Sequence, residues 1–167
     1  MSEIRNWLGI DTGFATIGWA VLAESAHSHS PTFIDSGLIT TPSKTPTTKR
    51  LGEIQADMLT LLEEFSPVEV VIEMPYFGVN IISQGKVLQG LGAIRCACYQ
   101  AGIYEQILLH QASWKSFLGN GRATKDEVAY LVQQFLDLPY LPAKDDAVDA
   151  IGICFAGLSG VRNEIKD

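Results

Sequence analysis

The sequence predicts an α/β domain with a five-stranded mixed sheet and helices packed on its faces. Three β-rich segments separated by turn residues come first, as in a meander of neighbouring strands. Helical and β-rich segments then alternate, an order typical of strands that join a sheet through helices. With 167 residues and a hydrophobic fraction of 47%, we expect residues 1–167 to form a single domain with a substantial core.

The predicted strands are short apolar runs bounded by turn residues. The first runs from Asn6 to Asp11, and a turn containing Gly13 leads into the second, as in a hairpin. Pro75 follows the fourth strand and stops it, because proline cannot donate a hydrogen bond to a neighbouring strand. In chain order, the strands are expected at residues 6–11, 16–22, 32–39, 68–73 and 102–109.

The predicted helices show apolar stripes or capping signals. The first has Leu51, Ile54 and Met58 on one stripe, after a loop whose last threonines can cap it. Thr124 and Glu127 form a capping box, which opens the fourth helix. The expected spans are 49–65, 81–101, 113–118, a helix opening at 124, and a last helix with Asp145 as its N-cap that ends near Gly160.

Four carboxylates lie where predicted elements begin or end. Asp11 and Glu73 each close an apolar strand, and Asp146 and Asp149 are three residues apart, so they share one face of a helix. Carboxylates brought close together repel and raise each other's pKa. Divalent cations relieve that repulsion, and Mg²⁺ is typically held by a few carboxylates together with substrate phosphates. The pattern therefore predicts a metal site that acts on a phosphate ester.

Each of these acids also has an ordinary structural interpretation. Asp11-Thr12-Gly13 can be a plain strand-to-turn segment, and Glu73 can simply end its strand. Asp146 and Asp149 can belong to a capped and solvated first turn, although Asp145 suits the cap better and leaves the other two free for metal. The four acids in this order are a stronger signal than any one of them.

Further motifs surround the acids. They are Gly18-Trp19-Ala20-Val21, Ser36-Gly37-Leu38-Ile39, Val71-Ile72-Glu73 with Tyr76, Ser113-Trp114-Lys115, Thr124-Lys125 and Asp146-Ala147-Val148-Asp149-Ala150. In this order, and over nearly the whole chain, they resemble the RuvC-like Holliday junction resolvases. The resemblance implies an RNase H-like fold and a homodimeric, structure-selective endonuclease that nicks four-way DNA junctions symmetrically.

Site residues follow from the resemblance by position. It implies that the catalytic metal ligands, holding two Mg²⁺ ions for which Mn²⁺ could substitute, are Asp11, Glu73, Asp146 and Asp149. Lys115 and Lys125 would be active-site or DNA-contacting lysines. Two further expectations come from the residues themselves. Lys125 opens a helix, which favours an anion, so it should act on phosphate or transition-state charge, and Arg122 is one of the basic residues downstream of Glu73 that can gather at the DNA. Tyr76 falls where family members place an aromatic side chain near the junction centre. A branch-migration helicase is a further partner to consider.

Three features depart from the family pattern or from typical DNA-binding proteins. Thr12 stands where many members have proline, and the interval from Lys115 to Lys125 is one residue shorter than in the bacterial pattern. The net charge of −7 is unusual, because phosphate contacts normally need a basic face. Two divalent cations would neutralise the four site carboxylates, and the basic residues from Lys86 to Lys144 can gather around them.

Other functions remain open. A nuclease of the same fold could act on general branched or single-stranded DNA, and a silent DNA-binding module could keep the fold without metal, although none of the four acids is missing. A sugar-kinase or actin-like ATPase also starts with an Asp-x-Gly loop. That fold needs a second such loop and two domains, for which 167 residues leave no room.

The sequence also indicates a compartment. Apolar runs are shorter than the roughly 20 residues that a membrane span needs, and the N-terminus lacks the apolar region of a signal peptide. Cys96, Cys98 and Cys154 cannot all pair with one another, and we expect reduced, buried thiols. A cytoplasmic protein that does not bind membranes is therefore expected.

Overall fold

The computed structural model describes residues 4–76, 78 and 80–163. These residues form a sheet of five strands with helices on both faces, which confirms the predicted fold class. The strands are β1 (Ile4–Asp11), β2 (Thr16–Ser25), β3 (Thr32–Thr40), β4 (Glu69–Glu73) and β5 (Ile107–Leu109). The helices are α1 (Thr47–Phe65), α2 (Ile81–Gln100), α3 (Gln111–Leu118), α4 (Lys125–Phe135) and α5 (Asp145–Leu158).

The strand order in the sheet is β3-β2-β1-β4-β5. β1, β2 and β3 pair antiparallel as a meander, whereas β4 and β5 join β1 in parallel after helical connections. In the parallel part Ile10 pairs with Ile72, so the ends of β1 and β4 lie at the same edge. The mixed sheet thus brings the carboxyl ends of three strands together at one edge.

Each face of the sheet has its own core. Leu8, Ile10 and Ile72 contribute to the core that is shared with α1 and α2. Trp7 and Val71 contribute to the opposite core, which is shared with α3, α4 and α5. Because side chains alternate along a strand, a residue next to Ile10 or Ile72 points toward the second face.

Two glycines let α5 lie unusually close to the strands. A Cβ at Gly18 would overlap the backbone carbonyl of Asp146, and a Cβ at Gly9 would lie 2.5 Å from the Cβ of Cys154. Any larger residue at either position would push α5 away from β1 and β2. The first turn of α5 is therefore held directly over the end of β1.

Several predicted boundaries were wrong, and those of β5, α5 and α1 have an identifiable local cause. The last strand was expected at 102–109, but only Ile107–Leu109 is a strand, because Gly102 makes a turn with φ of 82° and the chain then runs irregularly. Asp145 is the first residue of α5 rather than its N-cap, which is Lys144. Pro46, not a threonine, occupies the cap of α1, and that cap has no side-chain hydrogen bond. The capping box of Thr124 and Glu127 is confirmed.

The cysteines partly follow the prediction. All three are free thiols, and Cys98 and Cys154 are buried. Burial raises the pKa of Cys98 to about 11 and that of Cys154 to about 12. Cys96, however, is exposed on α2, so the expectation that it belongs to the core was wrong. Across the described ranges, no helix combines the length and the apolar character that crossing a bilayer requires.

Candidate active site

Asp11 and Glu73 lie side by side at the ends of two parallel strands. Each follows a residue, Ile10 or Ile72, that is fully buried in the core beneath α1 and α2. Strand alternation therefore directs both carboxylates to the other face, toward α3 and α5. The hydroxyl of Thr12 ties the two strand ends together by donating a 2.9 Å hydrogen bond to the carbonyl oxygen of Glu73.

The first two turns of α5 bring Asp146 and Asp149 to the same place. Burial, followed by the nearby carboxylates of Glu73, Asp149 and Asp146, raises the pKa of Asp11 to about 9. The charge of Lys125 acts in the opposite direction. A pKa this high means that Asp11 is protonated at neutral pH unless a cation lies beside it. The structure thus brings all four predicted acids into one electrostatic cluster.

The pKa values of Glu73 and Asp149 are raised as well. Burial is the main cause for Glu73, partly offset by the hydrogen bond from Trp114. The pKa of Asp149 is raised to about 6, mainly by burial, even though the charges of Lys115 and then Lys125 act to lower it. Three neighbouring carboxylates that all resist ionisation form an environment suited to positive charge.

The chemistry of this donor set fits a hard divalent cation. The side chains offer carboxylate oxygens, which Mg²⁺ and Mn²⁺ prefer, and burial together with mutual repulsion raises the pKa of Asp11 and Asp149. The acids are not yet spaced as metal ligands. Within residues 4–76, 78 and 80–163, no three His, Cys, Asp or Glu side chains lie close enough together to hold an ion. The acids would therefore have to close around a cation as it binds.

Trp114 is a site residue whose role sequence reasoning missed. The sequence left it either packing its short helix or contacting DNA, and the structure shows a ring that is fully buried beneath the site. Its Nε1 donates a hydrogen bond to Oε2 of Glu73. The ring also lies against Gly152 of α5, where a Cβ would stand 3.0 Å from it. Only the Ser113-Trp114-Lys115 motif could have indicated that this indole serves the site.

Lys115 reaches the cluster from α3. Its Nζ donates a 3.2 Å hydrogen bond to the carbonyl oxygen of Ala123 and lies 5.5 Å from the centre of the Trp114 ring. Its charge lowers the pKa of both Glu73 and Asp149. The link to Ala123 also spans the α3–α4 loop.

Lys125 reaches the cluster from the start of α4. Its Nζ lies 3.2 Å from Oδ2 of Asp145, and this hydrogen bond is the main reason that the pKa of Lys125 is raised. Its charge also lowers the pKa of Asp11 and Asp149. Arg122 is exposed in the loop just before α4, where its backbone N–H donates to Oδ1 of Asn120. Both lysines therefore act on the acids, whereas the placement of Arg122 leaves it at the rim.

Tyr76 stands out from the surface just beyond the end of β4. It is 84% exposed, which rules out the alternative of a core tyrosine. Phe77, the other aromatic considered for this position, lies outside the described residues. An exposed ring three residues past Glu73 is free to contact a bound partner.

A family model and several curated proteins that match this chain all carry the same description. The family model described as "Crossover junction endodeoxyribonuclease RuvC" matches residues 7–156. A curated protein of that description from Synechocystis sp. is 48% identical over 161 residues, covering 96% of this chain and 95% of the relative. Another, from Halothermothrix orenii, is 34% identical over 148 residues, or 87% of each chain.

Solved structures agree with the sequence comparisons. The structure of Thermus thermophilus RuvC superposes with a TM-score of 0.82 at 28% identity, covering 95% of this chain and 99% of the other. The same protein in complex with Holliday junction substrate gives a TM-score of 0.81 at 26% identity, with coverage of 95% and 98%. The yeast mitochondrial Holliday junction resolvase Ydc2, at 15% identity and a TM-score of 0.64, shares the fold.

Proposed function

Because the chain belongs to the family of the crossover junction endodeoxyribonuclease RuvC, we propose that it resolves four-way DNA junctions by paired, symmetric nicks. The observation that carries the proposal is the cluster of Asp11, Glu73, Asp146 and Asp149 at one sheet edge, with pKa values raised at three of the four. Such a cluster has little use in a protein that only binds DNA, because uncompensated acids repel phosphate.

RuvC-family nucleases are metal-dependent. We assign Mg²⁺ to this chain, two ions to each site, with Mn²⁺ as a substitute. Asp11, Glu73, Asp146 and Asp149 would hold these ions through their carboxylate oxygens. Such ions activate water and stabilise the leaving oxygen in phosphodiester hydrolysis. The protein's own residues supply the largely buried acids, and Trp114 holds Glu73 in place through a hydrogen bond.

The two lysines would handle the charge of the substrate. Lys115, packed on Trp114, would hold the scissile strand near Glu73 and Asp149. Lys125 is exposed at the N-terminus of α4, where the helix end also favours an anion. Its bond to Asp145 would be exchanged for a phosphate oxygen when DNA binds. Arg122, at the rim, would contact the backbone further along.

Tyr76 would supply the selectivity for junctions. Bases at the centre of a four-way junction are poorly stacked, and an exposed aromatic ring can replace the lost stacking. The exposure of the ring, three residues past Glu73, supports a place at the mouth of the acidic cluster. We therefore assign it the task of recognising the open centre of the junction.

A two-fold dimer follows from two symmetric nicks, and α2 is the proposed interface. One face of α2 is buried against its own protein through Leu91, Ile94 and Ala97. The opposite face is open: Gly92 is exposed, with no other atom within 4 Å of the position of a Cβ, and Leu88 is partly exposed beside it. Small residues on this face would let two copies of α2 approach closely.

One experiment separates the proposal from its alternatives. The protein is incubated with a four-way junction, a splayed arm, plain duplex and single-stranded DNA, with Mg²⁺ and separately with Mn²⁺. Symmetric nicks in the junction alone are expected. Equal cleavage of the splayed arm or single strand would favour a nuclease for general branched DNA, and binding without cleavage under either metal would favour a silent module.

Two further assignments belong to the proposal. The free cysteines agree with a cytoplasmic protein, where thiols stay reduced. A branch-migration helicase is a suitable partner, since a resolvase needs the junction moved to a site that it can cut.

A further inference from the structure

A groove lies at the same edge of the sheet as the acids, but on the opposite face. It has a volume of about 700 Å³ and is bounded by the β1–β2 loop, the β3–α1 loop and the start of α2. Arg50 and Lys86 are the charged residues in its lining, and neither an aspartate nor a glutamate lines it. The groove is therefore positively charged in a protein whose net charge is −7.

Arg50 is a buried cation whose guanidinium faces this groove. The residue is only 5% exposed, and its guanidinium lies 4.0 Å from the centre of the Phe14 ring. Nε and Nη2 donate to the side chain and carbonyl of Thr41, at 2.9 and 3.3 Å. Among the described residues, Arg50 forms no ion pair with a carboxylate. A guanidinium has five N–H donors, so these two bonds leave capacity for an anion.

Lys86 brings a second cation to the same ring. Its Nζ lies 6.0 Å from the centre of Phe14, so the aromatic ring is shared by two positive groups. Thr16, Ser43 and Ser83 add hydroxyl groups to the lining. The amino-terminal end of α2, a helix of 20 residues, also opens at the groove, and its dipole favours negative charge. Two cations with hydroxyl donors around them match the needs of a phosphate group.

We propose that this groove binds a backbone phosphate of the DNA, with Lys86 and Arg50 as its charged ligands. This inference rests on the proposed nuclease function and extends it. A DNA strand would be cut at the acids, on the face of the sheet that is covered by α5. The groove would hold a phosphate of the DNA backbone on the face that is covered by α1 and α2. Exposed Tyr76 follows the end of β4 at the same edge of the sheet, so DNA lying across this edge would meet all three features.

The test is the salt dependence of junction binding by the full chain, measured in chelator so that hydrolysis does not intervene. Each phosphate contact contributes about 0.9 to the slope of log affinity against log salt. Lys86→Ala should lower the magnitude of that slope by about 0.9, and it should weaken junction and plain duplex by the same factor, since a phosphate contact carries no shape information. Arg5→Ala is the matched control, because Arg5 is paired with Glu24 at the far end of β1.

A slope for Lys86→Ala equal to that of Arg5→Ala would overturn the phosphate site. Arg50→Lys keeps a positive charge but loses the planar guanidinium with its several N–H donors. We expect this variant to fold, which circular dichroism would check, and to bind junction DNA more weakly than the wild type does. Unchanged binding by Arg50→Lys would limit Arg50 to holding Thr41 and would overturn its part. Failure of the wild-type protein to cleave junctions would instead contradict the proposed function, so the two failures are distinguishable.

Discussion

Trp114 donates a hydrogen bond from its buried indole to the Glu73 carboxylate at the end of β4. This bond lowers the pKa of Glu73 against the effect of burial, so it keeps the acid closer to the ionised form that a metal needs. It also fixes one oxygen of the carboxylate, Oε2. We infer that the indole orients Glu73.

Replacing Trp114 by Phe should keep most of the packing and remove the hydrogen bond. A hydrogen bond to a charged group is worth about 1.5–3 kcal/mol, so we expect cleavage to fall by about tenfold or more at neutral pH. The loss should shrink at higher pH and higher metal concentration, because the pKa of Glu73 rises further in the variant. Trp7→Phe is the control, since the Trp7 indole bonds Glu24 instead. Equal losses in both variants, without a shift in pH profile, would make Trp114 merely structural.

The raised pKa of Asp11 predicts a stability that depends on pH. Its pKa rises from 3.8 to about 9 on folding, so the folded state retains a proton that the unfolded state has lost between those values. In chelator, the stability from this group is therefore complete below about pH 4 and is lost as pH rises toward 9. Asp11→Asn should unfold at a higher temperature than wild type at pH 8, and the gap should close at pH 4. A constant gap over this range would contradict the shift. Added Mg²⁺ should raise the melting temperature of the wild type but not of the variant.

Lys125→Ala should slow cleavage by more than tenfold while leaving the fold intact. The side chain is exposed, and the acids that it influences lie in the cluster rather than in the core. Single-turnover rates with a junction measure the effect. Lys49→Ala, an exposed lysine of α1 on the other face of the sheet, should cleave normally. Asp145→Asn should weaken the bond between Asp145 and Lys125 but keep the lysine itself. It should therefore reduce the cleavage rate much less than Lys125→Ala does.

Tyr76→Ala should reduce junction cleavage by the loss of stacking, about 1–3 kcal/mol per base. Tyr76→Phe should be mild, because the ring and not the hydroxyl does the stacking. Cleavage rates are compared with those of Tyr104→Ala, which removes another strongly exposed tyrosine. Normal rates for Tyr76→Ala would remove it from junction recognition.

Gly92→Arg should convert the proposed dimer to a monomer, since the new side chain would fill the open face of α2. Gly52→Arg is a matched control: Gly52 is also an exposed helical glycine with no other atom within 4 Å of its Cβ position, but it lies on α1. Sedimentation at micromolar concentration separates the outcomes. If both variants sediment as the wild type does, α2 is not the interface.

Much of the acidic cluster could be predicted because its members lie at the ends of two strands and in the first turns of a helix. Asp11 and Glu73 follow apolar runs whose period is that of a strand, and Asp146 and Asp149 are spaced for one helical face. The prediction was weaker where local signals competed. Asp145 resembles an N-cap, yet it starts α5 and bonds Lys125. The segment before Ile107 looks like strand, but the turn at Gly102 leaves only three residues to pair.

The sequence by itself determined the type and order of the elements and the edge of the sheet at which the acids lie, because the alternation of side chains is a property of the local backbone. Only the tertiary structure decided which side chains of distant segments contact one another at the site. Glu73 and Trp114 are 41 residues apart, and nothing in either segment specifies their hydrogen bond. Likewise, the closeness of α5 to β1 depends on Gly9 meeting Cys154, a contact that exists only once the sheet and helix have packed. Contacts between distant segments depend on how whole elements fit together, and that fit is not encoded in any local pattern.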